Sequence, residues 1–433
     1  MTHTVTAGEL PARSRIDGLA ATQPAGCSLL QDYYVADDVF QLDLERVFAT
    51  SWLLVAAASE LPAPGDLLTY SVGRDSVVLT RTADGEIRGF HNVCRHRGCR
   101  LLPDGPCSAV RVLICPYHSW AYHLDGSLRG APQMGPGLPH ETLSLRPVHL
   151  QNLGGLLFVC FADEPPPFED VAAAVEPQLR LHELERSKVA VRQHYTVRAN
   201  WKTLVENNRE CYHCRVNHPE FCLTNYELGI PGDTRTDARY EAALAEHHRR
   251  WVAQGLEPQE VSFVDGGSFR VARLPLLDGF VTESLTGELI APLLGRLPSS
   301  DVGSLRLITL PNSWSHVDAD YAVTTRLTPI SADSTDVDIT FLVREDAVEG
   351  RDYQVADLTA VLGATSEQDW VLCEQNAAGI RSRGYLPGPL SPVTEGSVQV
   401  FHDWYERALS GAPSNTGTSS DQLLAQSAPA GAR

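Results

Sequence analysis

Cys94-Arg-His96 and Cys115-Pro-Tyr-His118 constrain this chain more than any other feature. Each segment carries one Cys and one His in the same order, and 18 residues lie between them. Four such donors act together only if the chain folds back so that two loops face one another. Two chemistries use such a set. Tetrahedral zinc takes two Cys and two His, but small zinc motifs usually pair Cys with Cys and His with His along the chain. A [2Fe–2S] cluster in which two imidazoles replace two thiolates on one iron takes a Cys and a His from each loop, so each loop reaches both irons. The mirrored order fits the cluster better than zinc.

The remaining numbers set the frame. A chain of 433 residues holds two or three ordinary domains. It contains no run of 18 apolar residues, which predicts no membrane span. Met1 to Ala21 lacks a basic start followed by an apolar core, so no secretion signal is expected. Ten Cys in this length make no disulfide framework and suit a reducing, cytoplasmic setting with metal and core roles. The net charge of −19 argues against nucleic acid and anionic membranes as partners. It is compatible with a basic docking partner or a cationic small molecule.

Residues 1–45 read as an N-terminal arm without clear period, ending in a short helix over Asp37 to Trp52. Residues 46–164 read as short strands and turns: Leu67 to Val72, Asp75 to Thr82, Ile87 to Val93, hairpins at Asp84-Gly85 and Asp125-Gly126, and a closing strand to Cys160. Pro165-Pro-Pro167 marks a change of texture. Beyond it, residues 165–410 mix helices (168–184, 200–214, 365–380) with strands (189–197, 304–310, 321–327, 337–343), an α+β pattern with an antiparallel sheet. Thr365 and Gln368 form a capping-box pattern at the start of the last helix. Residues 411–433 have few large apolar side chains and are expected to be disordered.

A second constellation is Glu210-Cys-Tyr-His213-Cys-Arg-Val-Asn-His218-Pro219. On a regular helix five residues turn through about 500°, so the two rings would point about 140° apart. They converge only where the helix breaks, and Pro219 disfavours helical geometry at His218. The pair therefore reads either as joint metal ligands or as two unrelated histidines. Cys211, Cys214 and Cys222 raise zinc as a further option.

Cys94-Arg-His-Arg-Gly98, Cys115-Pro-Tyr-His-Ser-Trp120, Asn200-Trp-Lys202, Glu206-Asn207 and Glu-x-x-His-x4-His-Pro together resemble the large (α) subunit of Rieske non-haem iron oxygenases, over roughly residues 30 to 410. The resemblance implies an all-β Rieske domain joined to a helix-grip (START-like) α+β catalytic domain. It implies Cys94, His96, Cys115 and His118 as ligands of the [2Fe–2S] cluster. It implies a mononuclear Fe(II) held by His213, His218 and a carboxylate from Ser366-Glu-Gln-Asp369, for which Asp369 is the expected ligand and Glu367 the competitor. The three nearby Cys are expected not to ligate. Glu210 is expected to orient the imidazoles of both centres and link them across a subunit boundary, as an Asp does in many relatives. Cys99 stands where respiratory Rieske proteins carry a Cys whose disulfide partner would here be Tyr117, so it is expected to be a small buried residue.

The resemblance also implies an oxygenase that takes electrons from NAD(P)H through a separate flavin and iron-sulfur reductase, uses O2 to hydroxylate a small molecule, and works as a homotrimer. No G-x-G-x-x-G follows a strand here, so the nicotinamide site is expected on that other protein. Pro275 to Phe280, Ala291 to Gly295, Pro311-Asn-Ser-Trp314 and Tyr385 to Pro389 are similar to the branch acting on glycine betaine, stachydrine and carnitine, which implies oxidative N-demethylation of a betaine-like quaternary amine. Aromatic faces hold such cations, and Tyr212, Tyr226, Trp251, Phe263, Phe269, Phe280 and Trp314 are the candidate walls. The alternatives are a cis-dihydroxylating dioxygenase α subunit acting on aromatic rings and an electron carrier with a dead second site.

Overall fold

The computed structural model describes residues 9–135, 137–226, 238–258, 261–263 and 267–411. The expected tail 411–433 therefore lies almost wholly outside the described residues. Alternating Val, Leu, Thr and Tyr side chains build three small antiparallel sheets before the triple proline. One orders Leu53–Ala57, Leu156–Cys160 and His149–Leu153. A second orders Ile87–His91, Asp75–Arg81, Leu67–Val72 and Gly105–Cys107. The third joins Leu113–Ile114, Ala121–Tyr122 and Leu128–Gly130. Leu67, Val78, Phe90, Leu113, Trp120 and Tyr122 form the core beneath the two Cys-His loops.

Past the prolines, one seven-stranded antiparallel sheet dominates. Its order is Ser187–Val197, Ser334–Arg344, Tyr321–Ser331, Ser313–Val317, Ser304–Thr309, Phe269–Leu274 and Val261–Phe263. The first and last long strands pair along their length, Ser187 opposite Arg344 and Val197 opposite Thr335. The helix Leu362–Ile380 buries Trp370, Cys373, Ala377 and Ile380 in a core shared with Val323, Val337, Ile339 and Phe341 of the sheet. This is the expected all-β unit beside a helix-grip α+β unit. The two are welded: Asn312 exchanges two hydrogen bonds of 3.0 Å with the backbone of Leu54, and Arg326 donates to the carbonyl of Val55.

Three local expectations change. The arm without clear period contains a helix, Glu9–Thr22, whose Ile16 and Leu19 are buried and whose Arg15 pairs with Asp32 and Asp38 at 2.9 and 3.0 Å. The helix expected over 200–214 stops at Asn208. The capping box at Thr365 is absent: this helix starts three residues earlier at Leu362, the Thr365 N–H already donates to the Val361 carbonyl at 2.9 Å, and Gln368 is drawn elsewhere. Burial of Leu362 in the shared core outweighs the local capping preference. Among the described residues no helix is long and apolar enough to cross a membrane.

Candidate metal centres and substrate cavity

The two Cys-His loops are tight turns stapled by their own backbones. The Cys94 N–H donates to Cys99 O at 2.8 Å and Gly98 N–H returns to Cys94 O at 3.0 Å; Cys115 N–H donates to Trp120 O at 2.8 Å. Both thiols are buried, while the two rings are partly exposed on the outer side. The His96 and His118 ring centroids lie 4.6 Å apart, and Trp120 stacks flat on His96 at 4.8 Å. Burial opposes a thiolate at Cys115, but the N–H groups of Tyr117 and His118 point at its sulfur and bring its pKa below the ordinary value. Burial pushes the Cys94 thiol up, against the Tyr122 hydroxyl 3.3 Å away. His96 Nδ1 is buried without a hydrogen-bond partner. Two thiols inside, two rings outside and an orphaned ring nitrogen between them fit a two-iron cluster with thiolates on one iron and imidazoles on the other. Cys99 differs from expectation: it is half-exposed, its sulfur lies by Cys115 and 3.3 Å from Arg100 O, and Cys107 is exposed and free.

The second constellation converges where the helix breaks. Cys214–Asn217 makes a single turn, His218 has φ −124° and ψ 70°, and Pro219 opens the next helix, Pro219–Thr224. The His213 and His218 ring centroids lie 5.0 Å apart. Asp369 Oδ1, reaching in from the helix Leu362–Ile380, sits 3.2 Å from His213 Nε2 and 2.9 Å from His218 Nε2. Both Nδ1 atoms face acceptors: Glu210 Oε1 at 2.7 Å for His213 and Gln368 Oε1 at 2.8 Å for His218. Each Nδ1 therefore carries the proton, and each neutral ring turns its Nε2 lone pair toward the carboxylate. His218 Nε2 and Asp369 Oδ1 have no properly aligned hydrogen bond.

Three inward lone pairs repel one another unless a cation sits among them. Burial works against a charged His213, yet the carboxylates of Asp369 and Glu210 raise its pKa to about 9, and Asp369 raises that of His218 against the same burial. Asp369 is held low by the two rings despite its burial. Two imidazoles and one carboxylate with open space beyond them have the donor set of the facial triad that non-haem Fe(II) sites use.

Cys214 also lies within reach of the two rings, but its sulfur is bonded to Cys211 and is not available to a metal. That disulfide is unexpected in a chain read as having only metal and core Cys. Glu367 turns away to the Tyr195 hydroxyl at 3.0 Å, which removes it as a competitor. Glu210 reaches His213 through a turn and not along a helix face, and it also accepts the Tyr212 N–H. Gln368, not foreseen as a site residue, is held in turn by Glu220, 3.1 Å from its amide nitrogen.

A cavity of about 170 Å3 opens on His213, His218 and Asp369. Of the candidate aromatic walls, Tyr226 and Trp314 line it, with Tyr240 and Phe221 added. Trp251 and Phe269 are core residues, and Tyr212 is exposed. The lining also carries polar side chains, among them Arg209, Arg270, Asn225, Arg306 and His316. Arg306 is tied down by Glu283 at 2.8 Å and Asn225 at 2.7 Å.

The chain as a whole is similar to known proteins. Residues 184–411 match the family of ring hydroxylating alpha subunits (catalytic domain), and residues 51–151 match the Rieske [2Fe-2S] domain. The glycine betaine monooxygenase oxygenase subunit of Pseudomonas aeruginosa (strain UCBPP-PA14) is 38% identical over 401 residues, covering 92% of this chain and 93% of that one. That of Chromohalobacter salexigens is 40% identical over 384 residues, covering 88% and 86%. A solved quaternary ammonium Rieske monooxygenase, 22% identical, superposes with a TM-score of 0.66 over 90% of this chain and 98% of the other.

Proposed function

Because this chain belongs to the Rieske ring-hydroxylating oxygenase α-subunit family, we propose that it is the oxygenase component of a monooxygenase that demethylates a small quaternary amine of the betaine type. Members of the family carry a Rieske [2Fe–2S] cluster and a mononuclear iron. When bound, these groups supply single electrons and the site at which O2 is reduced against the substrate.

The observation that carries the reading is the convergence of His213, His218 and Asp369 on one point, with the unshared lone pairs of His218 and Asp369 buried there. In our reading these three hold the iron, and Cys94, His96, Cys115 and His118 hold the cluster. Glu210 keeps the His213 proton on Nδ1 and so keeps Nε2 free to ligate. Gln368 does the same for His218, and Glu220 stops its amide from flipping. The aromatic faces of Tyr226, Tyr240 and Trp314 suit a quaternary cation. The polar lining disfavours the hydrocarbon alternative, since an apolar ring would displace the water around these groups and offer no hydrogen bond in return.

The chain works with a reductase as its relatives do; we assign it a flavin and iron-sulfur reductase fed by NAD(P)H. We also assign it a homotrimer in which one protomer's cluster serves its neighbour's iron. Exposed apolar side chains support this at both centres: Val93, Ile114 and Tyr117 beside the cluster, and Tyr212 and Val216 beside the iron ligands. Purified protein with a surrogate reductase, NADH and a panel of methylated amines and aromatics tests the reading. Formaldehyde released in step with a methylated amine supports it. A cis-diol from an aromatic, with no amine consumed, refutes it.

A further inference from the structure

Three aromatic rings lead from the cavity to the surface. Trp314, on the strand Ser313–Val317, lines the cavity together with Asp369. Its ring centroid lies 6.4 Å from that of Trp370, the residue after Asp369 on the helix Leu362–Ile380. Trp370 in turn lies 6.4 Å from Tyr195, on the edge strand Ser187–Val197. Trp370 is buried and Tyr195 is partly exposed, and the Tyr195 hydroxyl donates to the exposed Glu367 at 3.0 Å. Packing accounts for the ring contacts themselves. It does not account for the difference between their polar ends. Trp370 Nε1 is buried without a hydrogen-bond partner, while the Tyr195 hydroxyl holds a carboxylate.

That difference decides where an electron vacancy comes to rest. Indole and phenol are among the side chains most readily oxidised by one electron. An oxidised indole with no acceptor keeps its proton, stays a cation and takes an electron from the next ring. An oxidised phenol becomes strongly acidic and gives its proton to a carboxylate within hydrogen-bond reach. We propose that Trp314, Trp370 and Tyr195 with Glu367 form an electron path by which the protein reduces peroxide left in the cavity when no substrate takes the oxidant, with thiols in solution as the reductant. In each passage one electron moves from Tyr195 through Trp370 and Trp314 to the cavity, and the Tyr195 proton moves to Glu367. A thiol at the surface returns the electron, and Glu367 returns the proton. Two passages, with the two protons that the thiols release, convert H2O2 to two H2O and join the two thiols as one disulfide. The proposal rests on the iron and oxygen reading of the centre at His213, His218 and Asp369, and not on the substrate class.

The test uses the full chain loaded with cluster and iron, the cluster oxidised and substrate absent. Hydrogen peroxide is added, and samples are frozen at intervals for EPR. The wild type is expected to show a protein radical whose signal narrows when its tyrosines carry ring deuterium. Tyr195→Phe keeps the ring packing and is expected to lose that signal, as is Trp370→Phe. Glu367→Gln keeps a hydrogen-bond acceptor but not a base, and is expected to weaken it. Reduced glutathione is expected to quench the wild-type signal. Peptide mapping by mass spectrometry gives a second readout: oxygenated Trp314 and Trp370 are expected to accumulate in Tyr195→Phe beyond the wild-type level. The cluster's visible spectrum and the iron content check that each variant is folded.

No tyrosyl radical in the wild type, a signal that glutathione leaves in place, or one undiminished in Tyr195→Phe, Trp370→Phe or Glu367→Gln overturns the proposal. If Trp370→Phe does not load its metals, the mapping in Tyr195→Phe decides: added oxidation of the two tryptophans supports the path, and wild-type levels remove it. Formaldehyde from a methylated amine with reductase and NADH, in a protein that forms no tyrosyl radical with peroxide, refutes the path and leaves the oxygenase reading standing. A radical at Tyr195, in a protein that oxidises no amine under those conditions, does the reverse.

Discussion

Gln368 accepts the Nδ1 proton of His218 at 2.8 Å from the residue immediately before Asp369. One turn of helix thus delivers both the carboxylate of Asp369 and the group that sets the tautomer of His218. Its amide nitrogen donates to Glu220 at 3.1 Å, which fixes the oxygen toward the ring. Gln368→Leu leaves the three ligand atoms in place but lets the imidazole rotate and exchange tautomers. Partners of this kind typically govern metal affinity by about 10- to 100-fold. The iron dissociation constant, read by chelator competition, is expected to rise by that factor, with the cluster spectrum unchanged. Retained wild-type affinity would show that packing alone orients His218.

Glu210 and Asp369 should separate the two centres functionally. Asp369→Ala removes a ligand and is expected to abolish turnover and iron binding while the visible spectrum of the cluster persists. Glu210→Gln keeps the size and the acceptor but loses the charge beside His213. It is expected to keep its iron, yet slow reoxidation of the reduced cluster by about tenfold or more in a single turnover with substrate and O2. Reoxidation at the wild-type rate in Glu210→Gln would exclude it from the path between centres.

Much of this site was legible in the chain because its chemistry is local. Cys94 to His96 and Cys115 to His118 are read as a unit since each pair sits on one turn, and Pro219 betrays the break that brings His213 and His218 together. Asp369 lies about 150 residues away and was found only through the resemblance; no spacing announces it. Thr365-x-x-Gln368 has the local form of a helix cap, whereas burial of Leu362 moves the helix start. Arg209 carries no signal in the sequence: a basic residue at a helix end is ordinary, and only the fold makes its burial without a partner visible. The Cys211–Cys214 bond was missed for a related reason: a short Cys-x-x-Cys spacing reads equally well as ligands, core or disulfide until the backbone turn between Asn208 and Cys214 is known.

Upstream of His213, Lys202 and Asp43 form a fully buried ion pair. Asp43 also accepts from Trp201 Nε1 at 3.0 Å and the Tyr405 hydroxyl at 2.7 Å, so one carboxylate joins the N-terminal segment, the helix leading to Arg209 and the C-terminal helix Gly396–Ser410. Lys202→Met strands the carboxylate and is expected to cost about 3–5 kcal/mol. Adding Asp43→Asn removes the stranded charge but keeps an acceptor for Trp201 and Tyr405, and most of the loss should return. Urea unfolding of the two variants checks this; equal stability of single and double variants would mean that Asp43 is neutral in the native protein.

His182 gives the fold a pH dependence of definite sign. It is fully buried, and desolvation, with the charge of Arg273 added, holds its pKa down to about 3 against an ordinary 6.5. The native ring therefore stays neutral where the unfolded ring is protonated. Above about pH 6.5 neither state takes a proton and its contribution is complete. As pH falls from about 6.5 toward 3 the unfolded state gains a proton that the native state refuses, and stability drops by up to about 1.4 kcal/mol per unit. His182→Leu removes that proton from the balance. Unfolding free energies measured between pH 6.5 and 4.5 should therefore fall less steeply in the variant than in the wild type, the difference approaching this slope. Parallel curves would place the His182 ring in contact with solvent or with an acid that accepts its proton.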